Sequence, residues 1–313
     1  MLGKTAGGLT WMFRYLERCE TMSRLIETGF RNALTRPATA SDEWAAVLDA
    51  AGVRSAYLER HQSFEQSAVV DFLLRDCNNP SSVMSCIEHA RNNARLVRTA
   101  LSREVWEVTN DCWMTLKAAL GHKVRDRDLP AVLSIIRQQN ALVRGATHGT
   151  MLRNDIFNFC RIGTFMERAD ATARILDVKY YVLLPSISHI GSALDNVQWE
   201  NILRSVGAHS SYRWLNGPDI SALGIAEFLI LDHRMPRSLA FCIDKVASNL
   251  CYLEKEYATR NPSQEKVAEM VTLLAEAKID EIFDEGLHEF ILDLLADISE
   301  LSAMIETDYR FYE

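Results

Sequence analysis

Glutamate and arginine stand side by side twice in this chain, in Tyr15-Leu16-Glu17-Arg18 and again in Phe165-Met166-Glu167-Arg168. Such a pair offers two kinds of chemistry. The carboxylate can take a proton as a general base, and the guanidinium can hold a carboxylate or phosphate with its planar fork. Each pair is followed by a further acid and base at helical i,i+4 spacing, Glu20 with Arg24 and Asp170 with Arg174. On a helix adjacent residues point about 100° apart, so Glu17 and Arg18 are poor partners for each other. On the helical wheel Arg18 falls between Leu25 and Met22, inside the edge of the apolar arc, and Glu17 falls beyond the other edge, beside Arg24. A guanidinium placed so needs an acceptor or an anion. Two arrangements meet that need. In one, the charges form an interior joint, with Arg18 meeting Glu167 and Arg168 meeting Glu17. In the other, Glu17, Arg18, Arg24, Glu167, Arg168 and Arg174 line a shared cleft that holds a carboxylate, phosphate or peptide terminus.

A second basic constellation is Arg91, Arg95 and Arg98, at i, i+4 and i+7 on one helix face. It is either a solvated face paired with Glu88 and Glu107 or a patch that docks an anion or a partner. Asp76 and Asp232 precede helix starts and are expected to bind backbone amides in the turn. Asn79, before Pro80, is expected to cap a helix, and Ser81 and Ser82 also read as capping residues. No Gly-rich phosphate loop and no HExxH motif occurs. One ExxH stands at Glu285-Gly286-Leu287-His288, where a di-metal bundle would need two such helices and two further carboxylates. His288 therefore reads as part of a solvated terminal helix. Neither a metal nor a nucleotide is expected on this chain itself.

The elements that must position these residues are written twice. The Glu-Arg block recurs at a spacing of 150, Trp44, Leu48 and Gly52 recur as Trp199, Leu203 and Gly207 at 155, and Phe72, Asp76, Pro80, Ser82, Cys86, Ile87 and Asn93 recur as Phe228, Asp232, Pro236, Ser238, Cys242, Ile243 and Asn249 at 156. Three blocks in one order, with slowly drifting spacing, indicate duplication with small insertions. The Arg91 stripe is not duplicated, since Ala247, Cys251 and Glu254 stand at the matching positions. Leu9, Met12, Leu16, Cys19, Ser23, Ile26 and Phe30 recur at three- and four-residue steps, the mark of an amphipathic helix. Strand signals are poor. Breaks at Arg36–Ser41, Gly121–Pro130, Leu184–Gly191, Gly217-Pro218 and Asn261–Ser263 give five or six helices per half. The expected architecture is all-α, with repeats at 1–150 and 151–313 fused into one pseudo-twofold bundle.

The length of 313 residues allows one large core or two domains, and 48% hydrophobic with 24% charged residues is ordinary for a globular protein. The net charge of −8 argues against broad adhesion to nucleic acid or anionic membrane. Met1–Leu9 has no apolar run of the secretory kind, and Ile220–Leu231, interrupted by Glu227, is too short to span a bilayer. Seven cysteines without a CxxC pair read as core packing in a reducing cytoplasm.

The run Leu9–Arg31 resembles the N-terminal ER motif of the bacterial alpha-E family. Asn79-Pro80-Ser81-Ser82-Val83, Ala90–Arg95 and Leu101–Glu107 resemble its second block, and Arg161–Asp170 with Pro236–Cys242 its C-terminal blocks. Thr164 stands where an Arg is common in the family, and Met12-Phe13 where a Gly often stands. The resemblance implies a helical protein encoded beside, or fused to, a circularly permuted ATP-grasp ligase, often with a transglutaminase-like protease and sometimes a proteasome-like subunit. It therefore implies an accessory or substrate-binding subunit that positions a peptide, a free amino acid or an amine during amide formation, with ATP and magnesium on the ligase. The alternatives are an enzyme using Glu17 and Glu167 as general bases, or a structural oligomeric adaptor. Homo-oligomerisation is left open.

Overall fold

The computed structural model describes residues 1–182, 193–217 and 220–312, and every regular element among them is helical. The first half comprises α1 (Gly3–Thr35), α2 (Ala40–Ala50), α3 (Arg54–Leu58), α4 (Gln66–Leu74), α5 (Val83–Leu96), α6 (Arg103–Ala119) and α7 (Leu129–Thr150). The second comprises α8 (Asp155–Val182), α9 (Ala193–Ser205), α10 (His209–Asn216), α11 (Ala222–Ile230), α12 (Leu239–Tyr257), α13 (Pro262–Glu276), α14 (Ile279–Glu285) and α15 (Leu287–Asp308). That exceeds five or six per half, because α3, α10 and α14 have only five, eight and seven residues. One or two turns are too short for apolar periodicity to register. The expected break at Leu184–Gly191 and Pro218 of the Gly217-Pro218 break lie outside the described residues.

The long helices α1 and α8 pack along each other and carry the two Glu-Arg pairs. Around them the same neighbours recur: α5 and α7 lie on α1, as α12 and α15 lie on α8. The close approach of α8 to α1 depends on Gly163, where a Cβ would stand 2.1 Å from the carbonyl oxygen of Thr10. Only residues 151–154 separate α7 from α8, and buried apolar side chains of both halves form one continuous cluster. Trp44 and Trp199 are both buried in it. Five cysteines are buried, Cys77 and Cys251 are exposed, and none forms a disulfide. No helix among the described residues is long and apolar enough to cross a membrane.

Two local expectations need correction. The helices after Asn79-Pro80 and Met235-Pro236 start three residues later, at Val83 and Leu239. Their caps are Ser82 and Ser238, whose hydroxyls accept the amides of Ser85 and Phe241, each at 3.1 Å. A serine there reaches an otherwise orphaned donor of the first turn. Asn79 is committed elsewhere: its Nδ2 donates to the Phe72 carbonyl at 3.1 Å and its Oδ1 accepts the Ser81 amide at 3.0 Å, so it builds the turn ahead of the helix. His288 does not lie on a solvated face. Its side chain is half-buried, with Nδ1 2.5 Å from Asp177 Oδ1, and it ties α15 to α8.

Candidate functional site

Between α1 and α8 the two Glu-Arg pairs exchange partners. Arg18 donates from Nε to Glu167 Oε1 at 2.5 Å and from Nη2 to Oε2 at 2.9 Å. Arg168 donates from Nε to Glu17 Oε1 at 3.0 Å and from Nη2 to Oε2 at 2.9 Å. Each carboxylate is thus held by the fork of the opposite helix, the geometry in which a guanidinium binds a carboxylate most specifically. The wheel put Arg18 inside and Glu17 outside the apolar arc, but the Glu17 side chain is 2% exposed and the Arg18 side chain 21%. A wheel presumes one buried face, whereas α1 is covered by α8, α5, α7 and α2. The polar edge of its arc therefore faces protein too.

Burial pushes the Glu17 carboxyl up, but the guanidinium groups of Arg168, Arg237 and Arg144 outweigh it and hold the group far below the usual carboxylate range. Burial likewise acts against Glu167, and Arg18 and Arg14 overcome it, again to a lowered value. Both carboxylates are ionised and multiply hydrogen-bonded.

Around Glu17 the cations outnumber the carboxylates. Arg237 lies 2.8 Å from Glu17 Oε1 through Nη1 and 2.9 Å from Glu20 Oε1 through Nη2. Arg144, from α7, bonds Glu20 Oε2 and stands 3.7 Å from Glu17 Oε2. Arg24 completes the set at 2.8 Å from Glu20 Oε1. Two carboxylates therefore face four guanidinium groups. The loop carrying Arg237 is pinned to α8, since Thr172 Oγ1 donates to the Arg237 carbonyl at 2.9 Å and Arg168 Nη1 to the Pro236 carbonyl at 3.0 Å.

A cavity of about 410 Å³ opens beside this cluster, lined by Glu20, Arg144, Arg168 and Arg237, by Arg161 and His148, and by Phe13, Phe157, Phe165 and Phe241. Arg161 has no carboxylate partner among the described residues. It lies 4.7 Å from the Phe165 ring centroid, and its Nη1 is 3.4 Å from His148 Nε2. Burial lowers the Arg161 pKa, and Arg168 and Arg153 lower it further. Burial also lowers that of His148, with Arg161, Arg153 and Arg144 acting in the same direction. The Arg237 pKa is lowered as well, by burial first and by Arg168, in spite of Glu17. For all three basic groups burial is the largest cause, and neighbouring guanidinium groups act in the same direction.

The Glu167 centre is built from the same frame with other side chains. Arg14 Nε donates to Glu167 Oε2 at 3.0 Å and its Nη1 to Ser302 Oγ at 2.8 Å. Asp170 is taken by Arg174 at 2.9 and 3.0 Å. At the position matching Arg237 stands Ser81. Arg144 is the sixteenth residue of the 22-residue α7, and the sixteenth of the 22-residue α15 is Ser302. The space here is about 190 Å³, lined by Arg18, Ser81, Glu167, Asp170 and Arg174 among others. The four Glu-Arg residues are accordingly not pooled in one cleft.

The Arg91 stripe lies apart. Arg91 donates to Asn110 Oδ1 at 2.8 Å and stacks 4.0 Å from the Trp113 centroid, while Arg98, beyond the end of α5, lies 5.3 Å from Trp106. Arg95 is exposed. Glu107, an expected partner, is paired with Arg103 at 2.7 Å instead, one turn away on its own helix. Asp76 Oδ1 accepts the Asn78 amide at 2.8 Å and Asp232 Oδ1 the Arg234 amide at 2.7 Å, closing their turns. Among the described residues no group of three or more His, Cys, Asp or Glu is arranged to hold a metal ion. Arg14, Arg144, Arg161, Arg237 and His148 were not singled out from the sequence. Comparing the repeats for charges present in one copy only would have found Arg237 against Ser81 and Arg14 against Thr164.

The model of the Alpha-E family, described as a predicted alpha-helical domain with a conserved ER motif, matches residues 1–309. Uncharacterized proteins of Mycobacterium bovis and Mycobacterium tuberculosis are 26% identical to the chain over 318 aligned residues, which cover 93% of the chain and 34% of each relative. The chain thus spans about a third of the length of these curated relatives. No solved structure matches it.

Proposed function

The chain belongs to the Alpha-E family, and on that basis we propose that it is a substrate-binding helical subunit of an amide-forming system. In this reading it works with an ATP-grasp-type ligase that supplies ATP and magnesium, and it presents an anionic substrate for synthesis or modification of a peptide-like amide. The observation that carries the reading is the surplus of guanidinium groups over carboxylates around the 410 Å³ cavity. A buried cation is costly unless an anion compensates it, and here the missing anion is supplied by the substrate. The two thirds of each mycobacterial relative beyond the matched region leave room for a second module, which fits a helical unit coupled to a catalytic one. In this reading the halves 1–150 and 151–313 are internal copies that build two centres between them, the one at Glu167 serving as a joint and the one at Glu17 opening the pocket.

The rival reading, Glu17 and Glu167 as general bases, is weakened by their chemistry. A base is effective when its pKa lies near the working pH, and both carboxyls are lowered and held by two forked hydrogen bonds. A structural adaptor is favoured by the Glu167 centre, where the three guanidinium groups are all bonded to carboxylates.

The test is purification of the tagged chain from its native cell, with mass spectrometry of proteins and small molecules, followed by reconstitution. An ATP-grasp ligase and an acidic small molecule are expected, and amide formation by the ligase should rise when the chain is added. A ligase whose turnover ignores the chain, or none recovered at all, overturns the proposal.

A further inference from the structure

The cavity beside Glu17 is surrounded by guanidinium groups whose hydrogen bonds are unequally used, and that inequality limits what can bind. Arg168 is fully committed, with Nε and Nη2 on Glu17 and Nη1 on the Pro236 carbonyl. Arg237 spends both Nη groups on Glu17 and Glu20. Arg144 uses only Nη1, on Glu20. Arg161 uses only Nη1, at 3.4 Å from the His148 ring, and its Nε and Nη2 have no hydrogen-bond partner among the described residues. The free donors are therefore those of Arg161, with Arg144 beside it. That suits the two oxygens of one carboxylate, which a single guanidinium fork can hold.

The remainder of the wall is aromatic. The ring centroids of Phe157 and Phe165 lie 5.7 and 4.7 Å from the Arg161 guanidinium carbon, and Phe241 is partly open to the same space. At about 410 Å³ the space falls in the roughly 300–1,000 Å³ range of small-molecule pockets and is far larger than an inorganic oxyanion needs. We infer that this cavity binds an organic carboxylate with an apolar, aromatic-sized body, its carboxylate on the fork of Arg161 beside Arg144 and its body against Phe157, Phe165 and Phe241. This rests on the reading of the chain as an anion-binding subunit and names the class of anion.

The inference is tested by calorimetric titration of the full chain with phenylacetate, acetate, inorganic phosphate and the neutral phenylacetamide, for the natural chain and for Arg161→Gln. Phenylacetate should bind about tenfold or more tightly than acetate, because burying the ring removes apolar surface from water, and phenylacetamide should not bind measurably. Arg161→Gln should weaken phenylacetate by about tenfold or more, while the variant's melting temperature stays level or rises. A residue of merely structural importance would lower that temperature. Arg161 suits the test because its replacement breaks no ion pair and relieves its repulsion with Arg168 and Arg153. Phosphate binding as tightly as phenylacetate, or phenylacetate binding unaffected by Arg161→Gln, would overturn the inference and leave the anion-binding subunit standing. Failure of every anion to bind would overturn both.

Discussion

Glu17 and Glu167 stand at matching places on matching helices and are gripped by matching arginines, yet their surroundings have diverged. At Glu167 the cations Arg14, Arg18 and Arg174 are all bonded to the two local carboxylates, and a hydroxyl, Ser302, takes the spare donor of Arg14. At Glu17 the place of Ser81 is taken by Arg237 and that of Ser302 by Arg144, and Arg161 adds a guanidinium with no carboxylate partner among the described residues. The shared part, the crossed Glu-Arg pairs, joins the halves. The unshared part creates an unbalanced positive pocket. Two polar centres on matching helices thus differ in charge balance through a few side chains, while the crossed pairs between them stay the same.

The largest effects should come from removing the central carboxylates. Glu17→Ala strands Arg168, whose side chain is 10% exposed, and takes from Arg237 one of its two acceptors. An uncompensated buried charge of this kind costs about 3–5 kcal/mol. Glu167→Ala strands Arg18 and Arg14, which at 21% and 14% side-chain exposure reach water more easily, so the loss should be smaller by about 1 kcal/mol or more. Urea unfolding of the two variants measures the difference, and equal losses would break the contrast between the centres. Within the Glu167 centre, the cycle of Arg18→Ala, Glu167→Ala and the double variant should give a coupling of about 1–3 kcal/mol. Strict additivity would mean that the forked contact does not link the halves.

Acid should expose the same carboxylates. Glu17, Glu20 and Glu167 all have lowered pKa values in the folded chain. A group lowered on folding contributes stability that is fully present above its unfolded pKa, about 4.3 for glutamate, and that is lost as pH falls toward the folded value. Stability should therefore drop steeply below about pH 4.3, with proton uptake on unfolding. Glu17→Gln, which removes one of the three groups, should show a shallower acid slope than the natural chain in chemical denaturation at successive pH values. An unchanged slope would mean that Glu17 is not held ionised by its arginines.

The all-α class was legible because helical periodicity and the repeat agree over most of the chain, and the crossed pairing was legible because an arginine on an apolar arc needs an acid and only the other copy offers one at the matching place. The helices start at Val83 and Leu239, three residues beyond the prolines, since a proline marks where a helix can begin and the serine two positions on makes the better cap. Beyond Arg237, which a comparison of the repeats exposes, the pocket was not legible. Arg237 lies far along the chain from Arg144 and Arg161, and the three converge only when α7, α8 and the loop before α12 pack around α1. Periodicity carries no information about such convergence. In the basic stripe that spacing does reveal, Arg91 and Arg98 are taken up by Trp113, Trp106 and Asn110.

The smallest effect tests how closely the two centres share a frame. Gly52 and Gly207, at matching positions after α2 and α9, adopt left-handed φ values of +67° and +68°. Each backs onto the arginine of the opposite half: a Cβ on Gly52 would meet Arg174 Nη1 at 3.3 Å, and one on Gly207 would meet Arg24 Nη1 at 2.6 Å. Alanine at either position incurs the left-handed penalty of about 1–2 kcal/mol. At Gly52 the neighbour need give only a few tenths of an ångström, and Arg174, with a side chain 42% exposed, has room to do so. At Gly207 the Arg24 guanidinium must shift further, and it is held by Glu20, which also binds Arg144 and Arg237. Gly207→Ala should therefore destabilise more than Gly52→Ala, by about 0.5–1 kcal/mol, and should weaken anion binding in the cavity by loosening Glu20. Thermal unfolding reads the first effect and phenylacetate titration the second. If both alanine variants lose the same stability and Gly207→Ala binds normally, Arg24 swings free of Glu20 without consequence, and the surplus of charge at the Glu17 centre is confined to Arg144, Arg161, Arg168 and Arg237.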